Sequence, residues 1–454
     1  MAEPRIVVVG AGPAGIRAAE VLATHRLPLV LVDEAPKGGG QIYRRAPDAF
    51  RRPYAARYGF EADKAHALHD AIDRLAGRID YRPSTLVWNV FDRHLDTVSD
   101  RRTGRIAFDV LVLATGAMDR LLPIPGWTLP GVYTLGGAQI ALKSQGCAVG
   151  KRVVFAGTGP LLYLVAYQYA KAGASVAAVL DTSPAATKRR ALAGLAASSG
   201  TLAKGLYYWA WLAARRIAVE EGVTDIGIVG DEAVRAVRYR RDATEKSIPC
   251  DAVGMGFGLK SETQLADLAG CEFSFDPPSR QWLPERNADG ESSVPGVYVA
   301  GDGAGIGGAD AAELWGERIG LAVAARCGRA PDAARIAAID RGLASLARFR
   351  AAIDRAFPVP PPETWSDRDA TILCRCESIR IGEAKAAVRD FALVEMNRLK
   401  AVTRIGMGRC QGRMCGLAAA ELLARDTGQP LAAVGRLRGQ PPVKPMPIPW
   451  TTEA

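Results

Sequence analysis

The stretch IVVVGAGPAGIRAAEVLATHRLPLVLVD, residues 6–33, decides the fold. Four apolar residues, Ile6 to Val9, run straight into Gly10-x-Gly12-x-x-Gly15; a helix-forming segment follows, and a second apolar run ends on Asp33. Gly10 permits the tight turn, Gly12 lets the backbone approach a pyrophosphate, and Gly15 lets helix and strand pack closely. Pro13 and Ala14 open the helix, whose unpaired N–H groups and positive dipole end then face the phosphates. Asp33, 23 positions after Gly10, is placed to accept from ribose hydroxyls, with Glu34 beside it. A lone glycine motif is weak; strand, helix and acid together predict a bound dinucleotide.

The pattern recurs at residues 153–181, VVFAGTGPLLYLVAYQYAKAGASVAAVLD. Here the turn is Gly157-x-Gly159-x-x-Leu162, and a leucine in the third glycine's place changes the room near the phosphates. Asp181 suits a ribose hydroxyl, while Lys188, Arg189 and Arg190 are placed for an extra phosphate. Two readings stand: an adenine nucleotide (ATP or NAD(P)), with or without reduction of a flavin by NAD(P)H, and a retained fold with an idle site.

Near residue 300 the chain reads VPGVYVAGDGAGIGGADAAELWGERIG, with Gly301 and Asp302 at the end of an apolar strand, and Ala114-Thr115-Gly116 follows the strand VLVL. These elements resemble the glutathione-reductase-like FAD enzymes. The resemblance implies an α/β fold with an FAD domain at 1–121 and 285–345. A second nucleotide domain at 122–284 would interrupt it, with a linker at 346–370 and a small helical unit at 371–454. It also implies FAD contacts from Gly301, Asp302, Ala114, Thr115 and Gly116. Disulfide reductases of that group carry C-x4-C just after the first nucleotide unit; here the segment is GGGQIYRR (38–45), without cysteine. A dithiol relay is therefore excluded, and Gly40 and Gln41 are assigned to the cofactor instead.

Two close cysteine pairs lie near the end: CRC, with Cys374 and Cys376, and GMGRCQGRMCG (406–416), with Cys410 and Cys415. A [2Fe-2S] cluster needs four thiolates, two per iron, and a backbone able to donate N–H bonds to sulfur. Glycines at 406, 408, 412 and 416 let the chain wrap closely. Arg375, Arg380, Lys400, Arg404, Arg409 and Arg413 are expected to offset the dianionic cluster. Zinc is the structural alternative, although C-x-C is poorly suited to its usual knuckle; a disulfide is disfavoured in a reducing cell. Cys147, Cys250, Cys271 and Cys327 are isolated among small or apolar residues and read as buried thiols.

The tail resembles the bacterioferritin-associated-ferredoxin-like [2Fe-2S] domain, with C-x4-C where that ferredoxin has C-x2-C. Together with DEAPKGGGQIYRR, PIPGWTLPGVYTLGGAQ and AGDGAGIGGA, the whole chain resembles the FAD/[2Fe-2S] subunits of heteromeric dehydrogenases. That group comprises opine oxidase A subunits, the hydrogen cyanide synthase B subunit and amino-acid dehydrogenase alpha subunits. It implies an electron-transfer role, with an opine or amino acid oxidised at a flavin in a D-amino-acid-oxidase-like beta subunit. Further implications are FMN at the subunit interface and a small third subunit. The alternatives are a stand-alone NAD(P)H-dependent reductase and a second nucleotide site that serves assembly only.

Bulk properties agree with such a protein. The 454 residues are 48% hydrophobic and 23% charged, with net charge +10. The basic residues are scattered without an aromatic ladder, which argues against nucleic acid and for a basic face toward an acidic protein or a cofactor phosphate. The N-terminal stretch has no basic region ahead of its short apolar run, and no uncharged stretch is long enough to span a membrane. The expectation is a cytoplasmic protein, with peripheral contact with the inner membrane face as an option. GLYYWAWLAARR (205–216) reads as a helix for a protein interface rather than a membrane surface. His66 and His69 read as members of a solvated helix face rather than metal ligands.

Overall fold

The computed structural model describes residues 3–50 and 52–447. The last seven residues of the expected 371–454 unit, and the first two of the 1–121 segment, lie outside the described residues. Strand Ile6–Val9 is central in a five-stranded parallel sheet. Its order is Val297–Val299, Val110–Leu113, Ile6–Val9, Leu29–Val32, Asp80–Arg82. IVVV and VLVL are buried at every position, as a sheet sandwiched between helices requires. Each such side chain contributes about 1.5–3 kcal/mol on leaving water.

Helix Pro13–Thr24 packs on this sheet and against helix Ala309–Arg326. A Cβ at Gly316 would lie 2.0 Å from the Ala14 carbonyl oxygen, so only glycine permits this crossing. The strand and helix near residue 300 thus return to the first sheet across the intervening chain.

That intervening chain builds a second five-stranded parallel sheet, ordered Ala218–Glu221, Ser175–Asp181, Arg152–Thr158, Ala252–Phe257, Val132–Thr134. The sheets are linked by the antiparallel pair Ala117–Asp119 and Leu259–Ser261. The α/β architecture with two nucleotide folds, expected from the glycine motifs, is the one observed.

Three expectations need correction. The segment assigned to a linker at 346–370 begins inside the helix Ala333–Ala356, because Ala352 and Ala356 continue its buried face against Ala191 and Leu195. His69 is buried, not solvated. It shares a helix face with Ala65, Leu68 and Ile72, and its ring binds the Tyr43 carbonyl (2.7 Å) and the Tyr54 hydroxyl (2.9 Å). Cys147 is exposed and Cys327 partly so, whereas Cys250 and Cys271 are buried. The aromatic segment is a helix, Ser199–Ala214, as expected: Tyr208 and Trp211 pack on Tyr167, leaving Leu206, Tyr207 and Trp209 exposed beside Phe60.

The tail folds into a short hairpin, Ile372–Cys374 with Ile379–Arg380, and helices Ile381–Asp390, Met396–Thr403 and Gly416–Thr427. It is not tethered loosely. Its core residues Leu373, Cys374, Leu399, Cys415 and Leu422 join Leu121, Trp127, Val253 and Phe257 in one apolar cluster. No described helix is long and apolar enough to cross a membrane.

Candidate functional site

The sheet topology brings the first glycine motif, Ala114-Thr115-Gly116 and Gly301-Asp302 together at the carboxyl ends of three adjacent strands. This is the crevice where open α/β sheets take ligands. Gly10 has φ +106°, and a Cβ there would lie 2.3 Å from the Ala114 carbonyl oxygen. At Gly15 a Cβ would lie 1.7 Å from the Gly10 carbonyl oxygen. Gly12, by contrast, has only the Gly40 Cα within contact range, 3.6 Å from where its Cβ would be. Two glycines therefore face each other across the mouth of the turn, leaving backbone open to a phosphate. Helix Pro13–Thr24 starts at Gly12 with no side-chain cap and no acid in its first turn, so its N–H groups remain available.

Asp33 accepts from Ala11 N (2.5 Å) and Ala35 N (2.6 Å), one bond to each oxygen, so both oxygens retain acceptor capacity for ribose. Burial raises its carboxyl above the ordinary range. Asp302 accepts from Gly307 N and Gly308 N at 2.8 and 2.9 Å, and burial raises it likewise. Glu34 and Gln41 turn elsewhere: Glu34 pairs with Lys444 at 2.5 Å, and Gln41 accepts from Arg44 at 2.8 Å. The cradle fits a dinucleotide by the glycines a Cβ would fill. Gly15→Ala is expected to cost about 1–3 kcal/mol and to yield protein without visible flavin absorbance, checked by denaturation and by the spectrum of the purified chain.

The second motif is built the same way but is occupied by its own side chains. Gly157 has φ +145°, and a Cβ there would meet the Gly256 carbonyl oxygen at 1.8 Å; helix Pro160–Lys171 begins at Gly159 without a side-chain cap. Leu162 is fully buried. Asp181 is buried and accepts from Tyr163 Oη (2.6 Å), Lys188 Nζ (2.6 Å) and Ser183 N (2.8 Å). Three of a carboxylate's four acceptor positions are thus filled. Lys188, expected to reach an extra phosphate, instead bridges Asp181 and Glu221.

The four tail cysteines converge. The thiols of Cys374 and Cys415 face each other, as do those of Cys376 and Cys410. Hydrogen bonding from Cys415, then from the backbone amides of Gly406, Glu377 and Cys376, lowers the Cys374 thiol to about 6. Cys415 rises correspondingly. A Cβ on Gly408 would lie 2.2 Å from the Cys376 Cβ, so a glycine is required for this approach. Among the described residues no three His, Cys, Asp or Glu side chains gather around one ion. Two facing thiol pairs with amides aimed at sulfur fit the donor set of a two-iron centre.

The cations expected to neutralise the cluster are mostly engaged. Arg404 binds Glu377 (2.8 Å), Arg413 binds Glu262 (2.7 and 3.2 Å), and Arg375 lies over the Trp127 ring. Lys400 donates to the Gln440 side chain at 3.1 Å. Glu262 is the connecting residue. Its carbonyl accepts from Thr115 Oγ1 (2.6 Å), its N donates to Gly116 O (3.0 Å), and its carboxylate holds Arg413 between Cys410 and Cys415. Burial pushes Glu262 up, but Arg413 overrides it and the carboxyl lies below its ordinary range.

Other contacts fix the docking. Arg120 and Glu421, both 2% exposed, pair at 2.5 Å, with Arg280 also 3.4 Å from Glu421. Trp127 Nε1 donates to Ile372 O at 2.6 Å. Apart from Arg413, none of these partners was singled out from the sequence, since single charged residues carry no signal of a partner 151 or 301 positions away.

Two nucleotide folds, the first with a flavin-type cradle, locked onto paired cysteines define an iron–sulfur flavoprotein oxidoreductase. The chain belongs to the pyridine nucleotide-disulphide oxidoreductase family, which residues 4–327 match, and residues 372–425 match the BFD-like [2Fe-2S] binding domain. The A subunit of opine oxidase from Rhizobium meliloti is 36% identical, over 97% of this chain and 86% of that protein. Hydrogen cyanide synthase subunit HcnB of Pseudomonas aeruginosa is 33% identical, over 98% and 97%. The crystal structure of L-proline dehydrogenase from P. horikoshii superposes with a TM-score of 0.74 at 19% identity, covering 98% of this chain and 78% of that one; this likeness concerns the fold.

Proposed function

We propose that this chain is the electron-transfer subunit of a heteromeric dehydrogenase acting on an opine or amino acid. In this reading the substrate is oxidised at a flavin in a D-amino-acid-oxidase-like beta subunit, while FAD and the [2Fe-2S] cluster of this chain carry the electrons onward. The observation that carries the proposal is Glu262, hydrogen-bonded at its backbone to the Thr115-Gly116 flavin element and at its side chain to the cysteine loop. FAD bound in the cradle accepts two electrons and the cluster one at a time. The chain's own residues hold the two sites at fixed separation: Glu262, Arg120 and Trp127 prevent the cluster unit from swinging. Gly10, Gly12, Pro13, Ala14, Gly15, Asp33, Gly40, Thr115, Gly301 and Asp302 would hold FAD. Cys374, Cys376, Cys410 and Cys415 would hold the cluster.

Two further features support a role within a complex over a stand-alone NAD(P)H reductase. The relatives are named as subunits, and the exposed Phe60, Leu206, Tyr207 and Trp209 offer an aromatic face for a partner. The second fold offers an adenine nucleotide an uncapped helix start at Gly159, but Asp181 is fully buried with a single acceptor position left for its ribose. FMN, if present, belongs at the boundary with the beta subunit. The test is anaerobic: opine or amino acid should bleach the flavin only when the beta subunit is co-expressed, and NADH should not bleach it in the isolated chain. Rapid bleaching of the isolated chain by NADH would overturn the proposal in favour of the reductase.

A further inference from the structure

Strand Leu259–Ser261 places Lys260 opposite Met118 and directs it into a cavity of about 110 Å³. The opposite wall is the cysteine loop itself, with Gln411, Gly412, Arg413 and Gly416. The charges around this cavity do not balance. Arg413 is answered by Glu262, and Arg436 by Asp267 at 2.8 Å. Arg280 and Arg120 share Glu421, which leaves that group with one positive charge in excess. Lys260 has no ion-pair partner among the described residues; its titratable neighbours are Glu262, Arg413, which already holds Glu262, and the Cys415 and Cys410 thiols. The cavity's other unpaired polar atoms, Ser261 Oγ, Gln264 Oε1 and Trp282 Nε1, are neutral.

We propose that Lys260 is the residue that sets the reduction potential of the cluster, a role that rests on the reading that Cys374, Cys376, Cys410 and Cys415 hold one. Four thiolates make the oxidised cluster a dianion, and the electron it accepts adds a third negative charge. A fixed cation facing the Cys410–Cys415 loop stabilises the reduced form more than the oxidised one and raises the potential. Of the tail arginines singled out by their position in sequence, Arg404 and Arg413 contribute less, because they are cancelled by Glu377 and Glu262. Lys260 is a positioning charge: it acts through the cluster's environment and ligates nothing.

The test is a redox titration of the full chain, followed by the paramagnetic signal of the reduced cluster. Lys260→Met should shift the one-electron equilibrium at least about tenfold toward the oxidised form, or 59 mV for a one-electron couple. Lys260→Arg should stay within about twofold of the parent. Glu262→Gln, which removes the carboxylate opposing Arg413, should move the potential upward. Opposite shifts from the two sites are a result that loss of packing does not produce. Equal potentials for the parent and Lys260→Met, or equal shifts for the Met and Arg variants, overturn the assignment. If Lys260→Met fails to assemble a cluster, the sign of the Glu262→Gln shift decides, and no upward movement overturns it. A normal signal with an unmoved potential refutes Lys260 alone; no cluster signal in the parent chain refutes the underlying reading and this inference with it.

Discussion

Replacing Cys415 with serine is expected to lower bound iron and acid-labile sulfide at least about tenfold, while FAD content stays near that of the parent. Cys415 is 1% exposed, faces Cys374, and stands at the start of helix Gly416–Thr427. It is therefore both a paired thiol and the point at which the loop enters the helix. The matched control is Cys147→Ser, an exposed thiol in another part of the fold, which should leave iron unchanged. Metal and sulfide analysis of anaerobically purified proteins reads the result. Retained iron in Cys415→Ser would remove that cysteine from the ligand set.

The second large effect concerns the docking of the cysteine unit. Arg120→Met leaves Glu421 without its closest partner in a site where both residues are 2% exposed. Burial pushes the Arg120 guanidinium down to about 10 even with Glu421 beside it. Breaking a buried pair by removing one partner costs about 3–5 kcal/mol, whereas replacing both by apolar residues is often close to neutral. Arg120→Met is thus expected to destabilise the chain by about that amount, and Arg120→Met/Glu421→Leu to recover most of the loss. Recovery will be incomplete, because Arg280 also faces Glu421. Urea denaturation of the parent, the two single variants and the double variant measures this. Additive losses would mean that the pair does not lock the unit in place.

How much of this was legible in the sequence depends on distance along the chain. The first nucleotide fold was readable because its signals are close together in sequence: Gly15 is forced by the Gly10 carbonyl, Gly10 takes a positive φ at the turn, and Ile6–Val9 is uniformly apolar because both its faces are covered. The four cysteines were readable because thiols in close pairs among glycines have few other uses. His69 was misread although the signal was present: Ala65, Leu68 and Ile72 place position 69 on the buried face, and the polar neighbours obscured that period. The helix Ala333–Ala356 was cut short because the proline-rich run just after it drew the boundary toward the N-terminus. Glu262, Lys260, Arg120 and Glu421 were not readable at all. Each is an ordinary charged residue until folding sets it against a distant part of the chain, 151 positions away for Glu262 and 301 for Arg120, and no local pattern records that encounter.

The assignment of Asp181 shows the same limit in another form. Its place at the end of the second strand was legible, but its engagement was not, because Tyr163 and Lys188 lie on the helices before and after it and reach it only in the folded chain.

The central claim is that one rigid chain holds FAD and a two-iron cluster within electron-transfer reach. The most direct measurement is photoreduction of the anaerobic purified chain, with flavin absorbance and the low-temperature paramagnetic signal followed on the same sample. The account predicts FAD, iron and sulfide in a ratio of about 1:2:2, with the cluster signal growing as the electrons distribute between the two centres. A chain that binds FAD but contains zinc, or that lacks inorganic sulfide and stays silent while its flavin is fully reduced, would contradict it.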